Sequence, residues 1–422
     1  MRLVSRKSGV ACVVLAAVLL AALGLLRGES LWNPSDGVYA MASRQFLHGI
    51  GLYDGMATSQ PPLVYLVGAG LLGIADSLTM LRAGLELFGL ATALLVWRAV
   101  LTLTGRPGAA IAAGVLVSLL PVTLHENALL TPEWIGAPLL LGTALLAARE
   151  DRAAAAGALA AVSCTAKPSF ALPALAMLLV SPARARALAW FAGAGVVLAG
   201  IGTALWGGAL WDGFVVAQTQ SGRNPDIAGL VAQEAWSALG LVVLAACALR
   251  LRPGWPPPLR TITALAGGGL VLGLTVVKAG TYVNATEIAE PALLVLAACA
   301  AVWVLGRPRA WRAVAAAAGA LLAAQSASLL VDPSDPRPYT RPFAASGPRR
   351  VLTSDEVRRF AAQARSCPRG VPYPGTPFVA FVARRRVPAD QPDYFILRAR
   401  TNADFRERYE QAAKSACTVS RS

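Results

Sequence analysis

Residues 9–26 read GVACVVLAAVLLAALGLL, with Arg2, Arg6 and Lys7 before them and Asp36-Gly37-Val38-Tyr39 about ten residues after them. An uncharged apolar run of this length crosses the hydrocarbon core of a bilayer as a helix. The cations ahead of it place its N-terminal end on the cytoplasmic side. A cleavable signal peptide is the competing reading, but the run is long, no clear small-residue cleavage site follows, and many similar segments come after it. The reading is therefore a signal anchor that delivers a carboxylate-bearing stretch, Asp36 to Tyr65, to the far face.

Composition agrees with that start. Of 422 residues, 56% are hydrophobic and only 14% charged, and the mean hydropathy is +0.55. A soluble globule of this size has too much apolar surface to cover, so the expected class is an α-helical polytopic membrane protein. Apolar segments lie at 9–26, 61–75, 83–104, 108–124, 134–148, 153–165, 169–181, 187–206, 233–250, 260–277, 288–306 and 311–331. The 39 Gly and many Ala suit close helix packing in lipid.

Charge then sets parity. Arg106, Arg149, Arg152, Arg184, Arg186, Arg250, Arg252, Arg260, Arg307, Arg309 and Arg312 all fall on the cytoplasmic side if one segment does not cross. The weakest candidate is 61–75, short and opened by Pro61-Pro62, which reads as re-entrant or peripheral. Eleven crossings remain, with the N-terminus cytoplasmic and the C-terminal region extracytoplasmic, in a plasma (inner) membrane. Asp36, His48, Gln60, His125, Glu126, Glu133, Lys167, Asp212, Arg223, Asp226, Lys278, Tyr282, Asn284 and Glu287 then gather on the outer side. Charge at a membrane boundary is costly without partners or water, so the cluster reads as a polar cavity opening outward; ordinary solvated loops are the simpler reading of any one member.

From Asp332-Pro333-Ser334-Asp335-Pro336-Arg337-Pro338 the composition changes, and this stiff linker leads into a polar domain, 332–422. It carries 17 Lys and Arg against 9 Asp and Glu, a difference of +8 out of the chain's +15. Helices are expected at 355–365 and 403–415 and strands at 351–353, 378–382 and 394–398, which together make a small α/β cap. Cys12, Cys164, Cys247 and Cys299 fall in or beside apolar segments as packing residues. Cys367 and Cys417 lie in the outer domain, where pairing is expected. No CxxC occurs, so a zinc site has no support. The basic charge comes without a nucleic-acid-binding module or aromatic-interleaved basic patch, so lipid headgroups and lipid phosphates are the expected partners, not nucleic acid. Gly267-Gly268-Gly269 reads as helix packing.

The layout suits chemistry at a headgroup plane. A sugar carried on a membrane lipid phosphate needs a base beside that plane to take a proton from an acceptor hydroxyl, and cations to hold the departing phosphate. Asp36 is placed for the first role and Lys167 for the second, since Lys167-Pro168 interrupts an apolar hairpin from 153 to 181. Each has a plainer explanation. Asp36 can begin a helix at Asn33-Pro34-Ser35-Asp36, Lys167 can snorkel, Pro61-Pro62 can open a helix, and Glu133 can sit in a helix first turn. Lys278 and Glu287 can be interfacial anchors, and Tyr282 and Trp211 can belong to an aromatic belt.

In their order along the chain, Asp36, Tyr39, Ala42, Gly49 to Tyr53, Pro61-Pro62-Leu63-Val64-Tyr65, Thr131-Pro132-Glu133, Ala166-Lys167-Pro168, Lys278-Ala279-Gly280-Thr281-Tyr282-Val283-Asn284 and Glu290-Pro291 resemble the GT-C superfamily. These are integral-membrane glycosyltransferases that use polyprenyl-phosphate sugars, and the nearest group holds the aminoarabinose lipid A transferases and protein O-mannosyltransferases. The resemblance covers most of residues 1–331. It implies a GT-C-like fold with Asp36 as general base or as the residue that positions the acceptor. It further implies donor binding by Gln60, Tyr65, Glu133, Lys167, Arg223, Lys278, Tyr282 and Asn284, and inverting transfer from a polyprenyl-phosphate-linked sugar to a lipid, polysaccharide or protein acceptor. Two positions depart from the pattern. Gln60 stands where relatives carry Lys or His before Pro-Pro, and Gly37 where many have a second carboxylate, which weakens the case for a divalent cation. The alternatives are a flippase of a lipid-linked sugar, which would show internal symmetry and broken helices in matching halves, and an inactive envelope assembly protein.

Overall fold

The computed structural model describes residues 2–29, 34–120, 123–124, 127–220, 227–252, 254–277, 287–331, 352–367, 377–393 and 396–416. Helices coincide with every apolar segment read from the sequence. In order they are α1 (Arg2–Arg27), α2 (Pro34–Leu47), α3 (Leu63–Ile74), α4 (Leu78–Thr104), α5 (Pro107–Leu116), α6 (Pro132–Ala147), α7 (Ala153–Cys164) and α8 (Ala171–Leu179). Then come α9 (Arg184–Trp211), α10 (Ile227–Leu251), α11 (Pro257–Leu272), α12 (Glu290–Val304), α13 (Arg309–Val331), α14 (Ser354–Arg365), α15 (Pro377–Val382) and α16 (Ala403–Lys414).

Local chemistry sets the boundaries. Ser77 begins α4 by accepting from the Met80 amide, and Gly105 ends it in the left-handed region at φ 66°. Thr131 caps α6 by accepting from Trp134 N at 3.3 Å, with Pro132 in the first turn. Among the described residues three helical stretches are long and apolar enough to cross a bilayer: Arg6–Leu25, Leu78–Thr104 and Arg184–Thr219. Leu63–Ile74 has 12 residues, about 18 Å of helix against a hydrocarbon core of about 30 Å, which is the short element its two leading prolines announce.

Helices α1, α4 and α5 pack together, α7 lies along α9, α8 along α11, and α10 against α12 and α13. The apolar bundle core runs from Cys12 through Val96, Leu141, Phe170 and Ile262 to Cys299. The triple glycine lies inside it: a Cβ on Gly268 would stand 2.6 Å from Pro173 Cα, and one on Gly269 would stand 2.9 Å from Ala289 Cα. These glycines bring helices together, the role expected of small residues in lipid.

A second core joins α2, α3 and the start of α6 to α14 and α15. Here the expected α/β cap needs correction, because no strand occurs among the described residues. The segment 378–382 lies in helix α15, with Pro377 to Phe381 all buried, and Ile396–Arg398 forms a 3-10 turn. A short, wholly apolar run has no period to separate strand from helix. This one packs against α2 and α14, and its carbonyls accept from following amides, Val379 from Ala383 at 2.9 Å and Ala380 from Arg385 at 2.8 Å. The expected helices at 355–365 and 403–415 are present, the first with a capping box between Thr353 and Glu356. Cys367 is disulfide-bonded; Cys417, its expected partner, and the linker 332–338 lie outside the described residues.

Candidate functional site

Asp36 lies in the first turn of α2, where a carboxylate stabilises the helix dipole, but its side chain looks elsewhere. It is 0% exposed. Arg82 of α4 grips it with both terminal nitrogens, Nη1 donating to Oδ1 at 2.9 Å and Nη2 to Oδ2 at 2.6 Å. The Leu130 amide donates to Oδ1 at 2.8 Å, and Arg82 Nη1 also donates to the Ala128 carbonyl at 2.8 Å. A bidentate pair of this kind fixes orientation as well as charge. It anchors residues 128–130, directly before the capped start of α6, and so sets where Glu133 points.

Glu133 is also buried and receives a hydrogen bond from Lys167 Nζ. Lys167 is at the tip of the hairpin between α7 and α8, and its side chain keeps 21% exposure where the Glu133 side chain keeps 3%. The ammonium is the open member of the pair. The same tip is tied to the Pro-Pro corner, since the Leu63 amide donates to the Thr165 carbonyl at 3.1 Å.

Tyrosines organise that corner. The Tyr65 hydroxyl accepts from the Ser59 and Gln60 amides, each at 3.2 Å, and the Tyr53 hydroxyl donates to the Gln60 carbonyl at 2.8 Å. Tyr39 and Tyr65 meet edge to face at 5.8 Å. With its backbone held on both sides, Gln60 turns its side chain to the Tyr39 phenol. Burial first, and then the neighbouring Tyr65, Glu133 and Asp393, push that phenol well above its ordinary value, while the Gln60 hydrogen bond opposes them. Burial likewise raises Tyr53. Both phenols are neutral at working pH and act through their hydroxyls.

The C-terminal region reaches the same place. A Cβ on Gly37 would stand 2.5 Å from Phe378 N, so this glycine is what lets α15 approach. Arg82 lies 5.7 Å from the centre of the Phe378 ring. Arg44 of α2 pairs with Asp76 at 2.7 Å, donates to the Phe381 carbonyl at 2.6 Å and stacks on the Phe381 ring at 3.7 Å.

The structure therefore brings Gln60, Tyr65, Glu133 and Lys167 together and links Asp36 to them through residues 128–131. His48 and Asp212 are exposed. Glu287, just before α12, is buried, which sets it apart from a solvated anchor, and Glu290 in the first turn of α12 is buried too. Arg223, Lys278, Tyr282, Asn284, His125, Glu126 and Asp226 lie outside the described residues. Among the described residues no three His, Cys, Asp or Glu side chains gather as a metal site. Sequence reasoning missed Arg82. An arginine at the start of an apolar segment, on the side expected to hold Asp36, was the available signal.

No protein-family model matches the chain, and no curated protein matches it in sequence. Its fold does match solved structures of ArnT from Cupriavidus metallidurans. The form bound to undecaprenyl phosphate aligns with a TM-score of 0.60 at 16% identity, covering 89% of this chain and 85% of that one. The apo form aligns with a TM-score of 0.56 at 15% identity, covering 89% and 84%. The chain thus shares its fold with these structures over most of its length.

Proposed function

We propose that this chain is a membrane glycosyltransferase that moves a sugar from a polyprenyl-phosphate donor to an envelope acceptor hydroxyl by inverting displacement. The observation that carries the reading is the half-open Lys167 ammonium, held by buried Glu133 at the corner made by Gln60 and Tyr65. It lies within a fold shared with an ArnT that was crystallised with undecaprenyl phosphate.

In the proposed step the acceptor oxygen attacks the anomeric carbon, the carbon–oxygen bond to the phosphate breaks, and a carboxylate takes the acceptor proton. Lys167 offsets the charge on the leaving phosphate, with Arg223 and Lys278 proposed beside it. Gln60 adds a hydrogen bond at the corner where relatives place a cation. Tyr65, Tyr282 and Asn284 are proposed donor contacts. Asp36 was expected to act as general base or to position the acceptor; its closed pair with Arg82 and its bond from the Leu130 amide favour a third role, that of holding the start of α6, and with it Glu133, in register with Lys167. The site is proposed to face the extracytoplasmic side of the plasma membrane.

Purified protein in sealed liposomes, given a radiolabelled polyprenyl-phosphate sugar and envelope acceptor material, tests the reading. Transfer of label is the expected result. Label crossing the bilayer without transfer makes the protein a flippase, and neither outcome makes it an assembly factor; both refute the proposal.

A further inference from the structure

Two turns at one end of the bundle carry cations that the site described above does not use. The first joins α10 to α11 and brings Arg250, Arg252 and Trp255; the second joins α12 to α13 and brings Arg307, Arg309 and Arg312. Packing of α10 against α12 and α13 draws the turns together, and Arg307 Nη2 donates to the Leu251 carbonyl at 2.8 Å. That bond ties Arg307 to the residue just before Arg252. Arg252 is half-buried, and its guanidinium lies 5.2 Å from the centre of the Trp303 ring. Its Nε, shielded from solvent, has no hydrogen-bond partner among the described residues. Arg250, Arg307, Arg309 and Arg312 are exposed.

No carboxylate answers these charges. The sequence has no Asp or Glu between Glu234 and Glu287, nor between Glu290 and Asp332, and among the described residues none of the five arginines joins an ion pair. The turn between α6 and α7 is different, since Arg149 and Arg152 there share Asp151. Cations gathered without acids raise the local potential and favour an anion, and α13, which begins at Arg309, adds the positive end of its dipole. The surroundings select which anion. Trp255 and Leu305 are 51% and 75% exposed, and Trp303 and Trp311 pack at the edge of the bundle core. Indoles and arginines together at the ends of apolar helices mark a headgroup plane. A free phosphate uses only the cations, whereas a phospholipid also covers the apolar surface beside them. We propose that the two turns form a binding site for the headgroup of an anionic phospholipid. Arg252 and Arg307 take its phosphate, to whose oxygens their planar forks are suited. Arg250, Arg309 and Arg312 supply a positive rim, and the upper acyl chain lies on Leu305 and Trp255. Basic pockets between transmembrane helices hold such headgroups, and this one is independent of the transferase reading.

The test uses full-length protein in detergent, with native mass spectrometry reading its affinity for dioleoyl phosphatidylglycerol and for dioleoyl phosphatidylcholine, which has the same chains and no net charge. Wild type is expected to bind the phosphatidylglycerol about tenfold more tightly or better. Arg252→Gln with Arg307→Gln should weaken that binding by about tenfold or more. The charge-matched pair Arg184→Gln with Arg186→Gln, at the start of α9, should stay within about twofold of wild type. Equal affinity for the two lipids overturns the proposal, and so does a smaller loss in the first pair. Equal loss in both pairs reduces the effect to net charge and overturns it too. Glycerol 3-phosphate that competes as well as the lipid makes this a soluble-phosphate site, which is a third refutation. If melting temperature shows the first pair unfolded, Arg309→Gln with Arg312→Gln, both exposed, decides: a loss of about threefold or more is expected, and anything less overturns the proposal.

Discussion

Breaking the Asp36–Arg82 pair offers the most direct trial of the site's architecture, because it does not depend on knowing the substrate. Asp36 has no exposed surface and the Arg82 side chain keeps 15% exposure, so neither charge is well hydrated once its partner is gone. Asp36→Asn replaces two charge-assisted acceptors by one neutral acceptor and turns an amide toward the guanidinium. Arg82→Met leaves a buried carboxylate whose remaining hydrogen bond, among the described residues, comes from the Leu130 amide. Removing one member of a buried pair costs about 3–5 kcal/mol, most of it the desolvation of the survivor, whereas removing both restores much of the loss. The double variant Asp36→Asn with Arg82→Met should therefore be more stable than the sum of the singles predicts, with a coupling of about 2 kcal/mol or more. Denaturant unfolding in detergent, followed by tryptophan fluorescence, measures all four corners of the cycle. Trp134 is a suitable reporter, since its indole donates to the Leu85 carbonyl at 2.8 Å beside the pair. Single losses below about 1 kcal/mol, or strict additivity, would refute the claim that this pair anchors the start of α6.

Three further outcomes follow from the geometry. Gly37→Ala puts a Cβ against the Phe378 backbone, so overpacking of about 1–3 kcal/mol should loosen α15; limited trypsin digestion at Arg384, Arg385 and Arg386 should speed up, and an unchanged rate would count against the contact. Under the proposed function, Lys167→Ala should weaken binding of a polyprenyl phosphate on the order of 100-fold, about 3 kcal/mol, and leave Glu133 buried without its cation; adding Glu133→Gln should recover stability without recovering binding, as read by calorimetry. The Tyr39 phenol is raised above its ordinary value of 10, so the folded state holds its proton longer than the unfolded chain does. Its contribution is complete below pH about 10 and falls as pH rises beyond that, so the alkaline loss of stability should be shallower in Tyr39→Phe, measured as unfolding free energy against pH.

The chain itself dictated the helices. Apolar runs of bilayer-spanning length, broken by Gly, Pro and arginine clusters, can satisfy their backbone groups in lipid only by local hydrogen bonding, and each such run is a helix in the structure. The prolines at 61–62, the Thr131-Pro132-Glu133 start and the Lys167-Pro168 hairpin tip were legible for the same reason, because caps and turns depend on neighbours in sequence. Where locality failed, so did the reading: the five apolar residues at 378–382 suit a strand as well as a helix, and only their packing against α2 and α14 decides between them.

Partnership was beyond the reach of pattern. Asp36 reads as a free base until Arg82, 46 positions later, is found closing on it, and Glu133 reads as a first-turn acid until the hairpin brings Lys167 to it. Gly37 looked like a missing carboxylate, yet it is the space into which Phe378 fits. Backbone hydrogen bonding in an apolar medium is a short-range constraint that a sequence displays openly. The pairing of charges is a long-range consequence of how the helices stack, and only the folded molecule determines which distant residues share one low-dielectric corner.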